Sequence, residues 1–221
     1  CGCGFKFSRT NYVMTISRLS PYGTSVERPQ HLGVLRSDRE IASDFLKVDQ
    51  RVSNTVIQGS IAQALGITSN DSSIDTRALV THVLIDLLQV EFATTDSQDK
   101  PTSIVVAGSI LLQHRTLLKT HLILSNSGIV RGRDVLPRAH PNDGYVDVLT
   151  IDEAITTRQR LFAWRRAKTG SHLPHPQLRA SRSTEFEWTG QASRMVADDV
   201  TFAGVVWLRC KVLADATSLY F

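Results

Sequence analysis

Apolar positions in the second half of the chain fall into short runs that are rich in β-branched and aromatic residues and separated by Gly, Pro, Asn or Asp. Such runs are typical of strands. Two of them, 122–124 and 205–207, are almost continuously apolar, as expected for strands covered on both faces. Consecutive strands joined by turns predict an antiparallel sandwich or a barrel-like core with helices packed on it. The predicted strands are 103–106, 118–125, 145–151, 184–188 and 205–213.

The first hundred residues show mainly helical spacing. Ser37 and Glu40 have the spacing of a capping box and predict a short helix after them. A second helix is predicted over 56–65, closed by a glycine. From residue 75 to residue 88, apolar residues recur four positions apart, which predicts a third helix. Alternation over 12–17 predicts one strand in this part.

One further helix is predicted among the strands, over 154–168, because the amphipathic pattern follows Asp152 and stops before Gly170. The expected fold class is α+β and mainly β. It comprises an antiparallel two-sheet β-sandwich over 101–221 and a mixed α/β segment over 1–100, whose few helices pack on the sandwich.

Composition is that of an ordinary globular protein, with 42% hydrophobic and 21% charged residues. No apolar run approaches the roughly 20 residues that span a bilayer. The net charge of +4 favours anionic partners such as phosphate groups or acidic membrane surfaces, and we expect no nucleic acid. Three cysteines without a spaced framework argue against a disulfide-built secreted scaffold. We expect a cytoplasmic protein and leave open whether it is peripheral at the membrane.

A segment rich in glycine and proline links two predicted strands, and its motifs continue downstream. In order they are Asn126-Ser127-Gly128, Pro137-Arg138-Ala139, Asp143-Gly144-Tyr145-Val146-Asp147, Gly170-Ser171-His172 and Val196-Ala197-Asp198-Asp199-Val200. Together they resemble the signature of the diacylglycerol kinase, sphingosine kinase and bacterial lipid kinase superfamily. The resemblance covers roughly residues 100–216. It implies the fold of that superfamily's C-terminal, lipid-facing domain.

The same resemblance implies a structural Mg²⁺ site in the loop before the strand at 145–151. Asp143 would supply the carboxylate, and His140 and Tyr145 would supply backbone carbonyls. A rigid loop with one carboxylate suits Mg²⁺, which takes one or two carboxylates plus water. The alternative is that Asp143-Gly144 is an ordinary turn.

The resemblance also points to catalytic carboxylates. Asp198 and Asp199 lie where the superfamily has its Asp-Gly-Glu motif, and Val200 stands in place of the glutamate. Either aspartate could act if the local register shifts by one residue. The alternative is an acidic pair at a solvated turn.

Other catalytic arrangements find less support. His172 and His175 could be combined with Cys210, but no Gly-x-Ser-x-Gly elbow or His-x-x-x-His helix accompanies them. We therefore expect both histidines at the surface of a loop.

The predicted helix 154–168 has an apolar side with Leu161, Phe162 and Trp164, flanked by cations that include Arg165 and Arg166. Such a helix can lie in a membrane interface, with its cations near anionic headgroups. The alternative is a helix packed on the sheet, with its basic face in water.

The sequence contains no Gly-Gly-Asp-Gly-Thr motif, P-loop or G-x-G-x-x-G motif for holding nucleotide phosphates. One hypothesis is therefore a lipid-kinase-like domain that is non-catalytic alone and binds a lipid, a nucleotide-binding partner chain or a second copy of itself. The alternative is the lipid-binding half of an active ATP-dependent lipid kinase, with the nucleotide domain missing from this chain or supplied by another subunit. ATP is expected only in that case. Val200 motivates a third hypothesis, an interaction module that has lost both ligand sites.

Overall fold

The computed structural model describes residues 23–47, 53–67, 78–97, 100–114 and 120–221. The predicted strand 12–17 lies outside these ranges. In the described part, no helix is long and apolar enough to cross a membrane.

The helices are α1 (Asp38–Phe45), α2 (Ser60–Ala64) and α3 (Thr157–Arg166), which continues as a 3₁₀ turn (Ala167–Thr169). The strands are β1 (Thr24–Glu27), β2 (Gly33–Leu35), β3 (Asn54–Val56), β4 (Leu79–Thr94), β5 (Thr102–Val106), β6 (Ser109–Gln113), β7 (Thr120–Ser125), β8 (Ile129–Val130), β9 (Arg133–Asp134), β10 (Val146–Ile151), β11 (Leu178–Ser183), β12 (Glu185–Ala197) and β13 (Val200–Tyr220).

Among the described residues, eleven strands form one hydrogen-bonded sheet, whose main path is β1-β4-β13-β12-β6-β7-β10-β11. Strand β5 extends it beside β4, and β3 and β2 extend it beside β13. The pairs β3–β13 and β2–β3 are parallel, and the pairs along the main path are antiparallel. Strands β8 and β9 form a separate hairpin.

The main core joins strands that are far apart in this order. Phe92 of β4, Leu124 of β7 and Val148 of β10 belong to one buried cluster. The sheet must therefore curl so that its two halves pack face to face, and β-bulges interrupt the long strands β12 and β13. The predicted α+β, mainly β sandwich is confirmed, with one continuous curled sheet supplying both layers.

The helix predicted over 75–88 is wrong, because residues 79–94 form the long strand β4. Residues four apart lie on one face of a strand as well as of a helix, so the spacing did not distinguish the two. Burial alternates over residues 83–85, as it does along a strand with one covered face. Val83 and Ile85 are buried, and Leu84 between them is exposed. The β-branched residues of this segment also favour a strand.

Two of the helices predicted in the first hundred residues are present. The Ser37 hydroxyl accepts the Glu40 amide at the start of α1, as the capping spacing predicted. The second helix begins later than predicted, because β3 and Gly59, at φ 108°, precede α2. These helices and the ends of β4 and β13 share a second buried cluster.

Helix α3 begins at a capping box in which Thr156 and Gln159 bond reciprocally, later than the predicted start. Gly170, at φ 67°, closes the 3₁₀ turn after it, as predicted. Helix α3, with the loop after β9, covers the outer face of β6, β7 and β10 and forms a third cluster there. The fold thereby places one helix over the outer face of the sandwich.

Candidate functional site

The predicted acidic pair forms the turn between β12 and β13. Asp198 and Asp199 lie at φ 42° and 70°, as a two-residue type I′ hairpin turn requires. Asp199 is exposed. The Asp198 carboxylate instead holds the neighbouring turn between β5 and β6.

Three backbone amides surround the Asp198 carboxylate. The Ala107 amide donates to Oδ2 at 2.6 Å, and those of Gly108 and Ser109 donate to Oδ1 at 3.0 Å each. Burial, together with the nearby Asp38 carboxylate, raises the pKa of Asp198 to about 7, although the three amide donors favour its charged form. Asp198 is therefore a structural anchor as well as a candidate acid or base.

The partner carboxylate, Asp38, was not predicted from the sequence. It is the first residue of α1 and accepts the backbone amides of Ser60 at 2.8 Å and Ile61 at 3.0 Å. Burial raises its pKa, and the Asp199 charge raises it further. Asp38 therefore ties α1 to α2 at the edge of the site.

The two carboxylates meet beside Gly108. A Cβ at that position would lie 2.5 Å from Asp38 Oδ2 and 2.9 Å from Asp198 Oδ1, so these oxygens are at most 5.4 Å apart. Any larger residue would collide with them, which explains a glycine here.

These carboxylates line a cleft of about 310 Å³. Ser60, Asp199 and Arg131 also line it. A carboxyl group that titrates near neutral pH can accept a proton from a hydroxyl group placed within hydrogen-bond reach. The cleft, named here the carboxylate cleft, has the chemistry to activate an alcohol.

An apolar cavity of about 110 Å³ lies beneath α3. Leu111 of β6, Ile123 of β7 and Leu149 of β10 form its floor, and Ala163 and Trp164 of α3 cover it. Leu111 lines both this cavity and the carboxylate cleft. The apolar cavity therefore adjoins the carboxylate cleft.

The five predicted lipid or membrane contacts divide between two sides of α3. Trp164 lines the cavity, and the Arg133 guanidinium lies 4.8 Å from the centre of its ring. Leu161 and Phe162 are 42% and 49% exposed, and Arg165 and Arg166 are exposed as well. The outer face of α3 is therefore both apolar and basic.

The prediction that His172 lies at the surface is wrong. The residue is buried, lines the apolar cavity and donates from Nε2 to the Val135 carbonyl at 2.8 Å. Burial lowers its pKa, which favours the neutral ring. The nearby His175 is half-buried, and its Nδ1 accepts the Gln177 amide.

Asp143 lies in the loop before β10, where the Mg²⁺ site was predicted. Its Oδ1 accepts the Tyr145 amide at 3.1 Å, and its Oδ2 accepts the Arg182 guanidinium at 3.0 Å. As placed, these groups do not fit a divalent cation, because a guanidinium already lies against the carboxylate. Among the described residues, no group of three or more His, Cys, Asp or Glu side chains is placed to hold a metal. The predicted magnesium site at Asp143, His140 and Tyr145 is untested, and the Arg182 guanidinium argues against a cation there in the unmodified chain.

Comparisons with known proteins bear on the sandwich. Residues 88–220 match the family model of the YegS C-terminal NAD kinase beta sandwich-like domain. Three solved structures from Bacillus anthracis str. Sterne, whose names contain the words diacylglycerol kinase, are similar with TM-scores of 0.52, 0.50 and 0.52. Each is 8% identical, covers 85% of this chain and is covered over 76%, 75% and 77% of its own length. The likeness to these structures is one of fold. No curated protein matches significantly.

Proposed function

We propose that this chain, which belongs to the family of YegS C-terminal NAD kinase beta sandwich-like domains, is the lipid-binding part of a lipid-kinase-like protein. The ligand is a lipid with an acyl chain and a free hydroxyl group. Its acyl chain enters beneath α3, and its hydroxyl group points to the carboxylate cleft. The names of the similar structures make a diacylglycerol the first lipid to test.

The apolar cavity beneath α3 and the carboxylate cleft meet at Leu111, and this observation carries the proposal. A lipid alcohol needs an apolar site for its tail and polar groups around its hydroxyl. The cavity, at about 110 Å³, is smaller than the apolar cavity of about 150 Å³ that holds one benzene. An acyl chain therefore enters only when α3 moves away from the sheet.

Helix α3 is suited to such a movement. None of its ten residues, all of them described, is fully buried. Its inner side packs through Ala163 and Trp164, which are only half-buried. Moving α3 away from the sheet exposes little apolar surface. The free-energy cost of this movement is therefore modest, because it scales with the apolar area exposed.

The outer face of α3 carries side chains suited to contact with a membrane. Leu161 and Phe162 are exposed apolar side chains beside Arg158, Arg165 and Arg166. Apolar side chains enter the acyl boundary, and each cation near an anionic surface contributes about 1 kcal/mol. We propose an anionic membrane as the surface from which the chain takes its lipid.

Binding of cis-parinaric acid, and its displacement by dioleoylglycerol, tests the lipid site. Ala163→Phe fills the cavity and should weaken binding at least roughly tenfold, which corresponds to 1.4 kcal/mol. Ala154→Phe adds the same volume at an exposed position and should bind as the unmodified chain does. Trp164→Ala enlarges the cavity and should bind at least as tightly. Equal binding by Ala163→Phe and the unmodified chain would refute this site.

A second candidate function, phosphoryl transfer to that lipid, is favoured by the paired carboxylates Asp38 and Asp198 and by Asp199 at the cleft. In this proposal a nucleotide-binding domain or partner chain supplies ATP. Transfer from labelled ATP and Mg²⁺ to dioleoylglycerol, using this chain alone, should stay at background. Transfer above background that Asp199→Asn abolishes would show that the chain also holds the nucleotide, contrary to the first proposal.

A further inference from the structure

Arg182 lies near the end of β11, directly opposite Asp147 of β10 in the antiparallel register. Opposed residues in a sheet project from the same face, so their side chains meet. The guanidinium nitrogen Nη2 lies 3.5 Å from Asp147 Oδ2 and 3.0 Å from Asp143 Oδ2. The same nitrogen donates to the Arg138 carbonyl at 2.8 Å. Three oxygens from one loop and its strand thus converge on a single cationic atom.

The two carboxylates in this group are almost inaccessible. The side chains of Asp143 and Asp147 are 3% and 6% exposed, and that of Arg182 is 32% exposed. The Tyr145 ring lies alongside, with its centre 5.2 Å from the guanidinium carbon. Buried carboxylates need a compensating positive charge, because removing them from water is costly.

The loop that supplies these oxygens is fixed from behind by Asp86 of β4. Its Oδ2 accepts the Gly144 amide at 2.7 Å, and its Oδ1 accepts the Asp215 amide at 2.8 Å. The Asp86 amide in turn donates to the Pro141 carbonyl at 2.8 Å. Asp86 therefore links the loop directly to β4, and its bond to Asp215 ties it to β13, while the acceptors of the loop face Arg182.

We infer that Arg182 is an internal replacement for a divalent cation, so that the loop 138–147 is ordered without a metal ion. Carboxylate and carbonyl oxygens converging on one point are the ligands of a hard cation. Here they converge on a guanidinium, which keeps its charge at every physiological pH and arranges its donors in a fixed fork. Removal of the Arg182 side chain leaves two buried carboxylates and one carbonyl around an empty position, which a divalent cation can then enter.

Thermal unfolding with EDTA, or with millimolar Mg²⁺ or Mn²⁺, tests the inference. The unmodified chain should unfold at the same temperature in all three conditions. Arg182→Ala should unfold roughly 10 °C lower in EDTA, since it breaks a buried ion pair. Each cation should restore at least half of that loss. Arg179→Ala removes an exposed arginine from the same strand and should resemble the unmodified chain in every condition.

Terbium luminescence excited through tyrosine provides a readout that does not depend on stability. Emission should be absent from the unmodified chain, present in Arg182→Gln and lost again in the double variant Arg182→Gln with Asp143→Asn. Arg182→Gln keeps most of the side-chain volume, so it serves if the alanine variant does not fold. Stabilisation of the unmodified chain by Mg²⁺, or no cation effect on either Arg182 variant, would overturn the inference.

Discussion

The hydrogen bonds of Asp198 predict how much stability this residue contributes. Asp198→Ala removes the acceptors of three backbone amides, those of Ala107, Gly108 and Ser109. An unsatisfied buried donor costs about 1–3 kcal/mol. Because water can reach part of this turn, we take the lower end of that range for each amide. The free energy of unfolding should therefore fall by about 3 kcal/mol.

Asp198→Asn provides a graded intermediate. An amide side chain keeps one acceptor oxygen, which can serve Gly108 and Ser109, but presents an NH₂ group to the Ala107 amide. One donor is then unsatisfied, and the loss should be about 1 kcal/mol. Asp199→Ala is the matched control, since its exposed side chain should contribute less than about 0.5 kcal/mol.

Urea unfolding at pH 4, where the contribution of Asp198 is still present in full, measures all three variants through the fluorescence of the buried Trp188 and through circular dichroism. From the most to the least stable, the predicted order of the variants is Asp199→Ala, Asp198→Asn, Asp198→Ala. Loss of less than about 1 kcal/mol in Asp198→Ala would refute the anchoring role. If Asp198→Ala loses as much unfolding free energy as predicted, a loss of activity in that variant could result from unfolding. Asp199 is then the residue to substitute for a test of catalysis, because the chain stays folded without its side chain.

Two further predictions follow from titration and from surface chemistry. Because its pKa is raised from 3.8 to about 7, Asp198 binds its proton more tightly in the folded chain, so its contribution to stability is largest below pH 4 and falls as the pH rises to about 7. The difference in unfolding free energy between the unmodified chain and Asp198→Asn should show this slope, and the opposite slope would mean that the amide donors dominate. In vesicle pelleting, binding to phosphatidylserine vesicles should fall at least about threefold on Leu161→Ser with Phe162→Ser, and on Arg165→Glu, and should weaken in high salt. Leu84→Ser, an exposed apolar position on the sheet, should not change pelleting, and equal loss in this control would contradict a specific role for α3.

Much of the sandwich was predictable because its strands carry local signals. Strands β5, β7 and β10 lie close to their predicted positions, since turn residues bound them. Strands β6 and β11 were missed, and β12 and β13 extend well beyond the predicted segments. Their lengths depend on pairing with distant strands, which local composition does not encode.

The site was predicted only in part, for a related reason. The motif order located Asp143 and Asp198, but their partners come from distant segments of the chain. Asp38 meets Asp198 only because α1 packs beside the β5–β6 turn, and Arg182 meets Asp143 only through the register of β10 with β11. Amphipathic spacing found α3, but not which side of it Trp164 faces, because that side is set by the cavity it covers.

Photo-crosslinking with a diacylglycerol that carries a diazirine in its acyl chain tests lipid binding beneath α3 most directly. The lipid would be presented in phosphatidylserine vesicles, and the modified peptides would be identified by mass spectrometry. The account predicts adducts on α3 and on the strands beneath it, at residues such as Ala163, Ile123 and Leu149, and their loss in Ala163→Phe. Adducts confined to other surfaces of the sandwich, or equal labelling of Ala163→Phe, would contradict it.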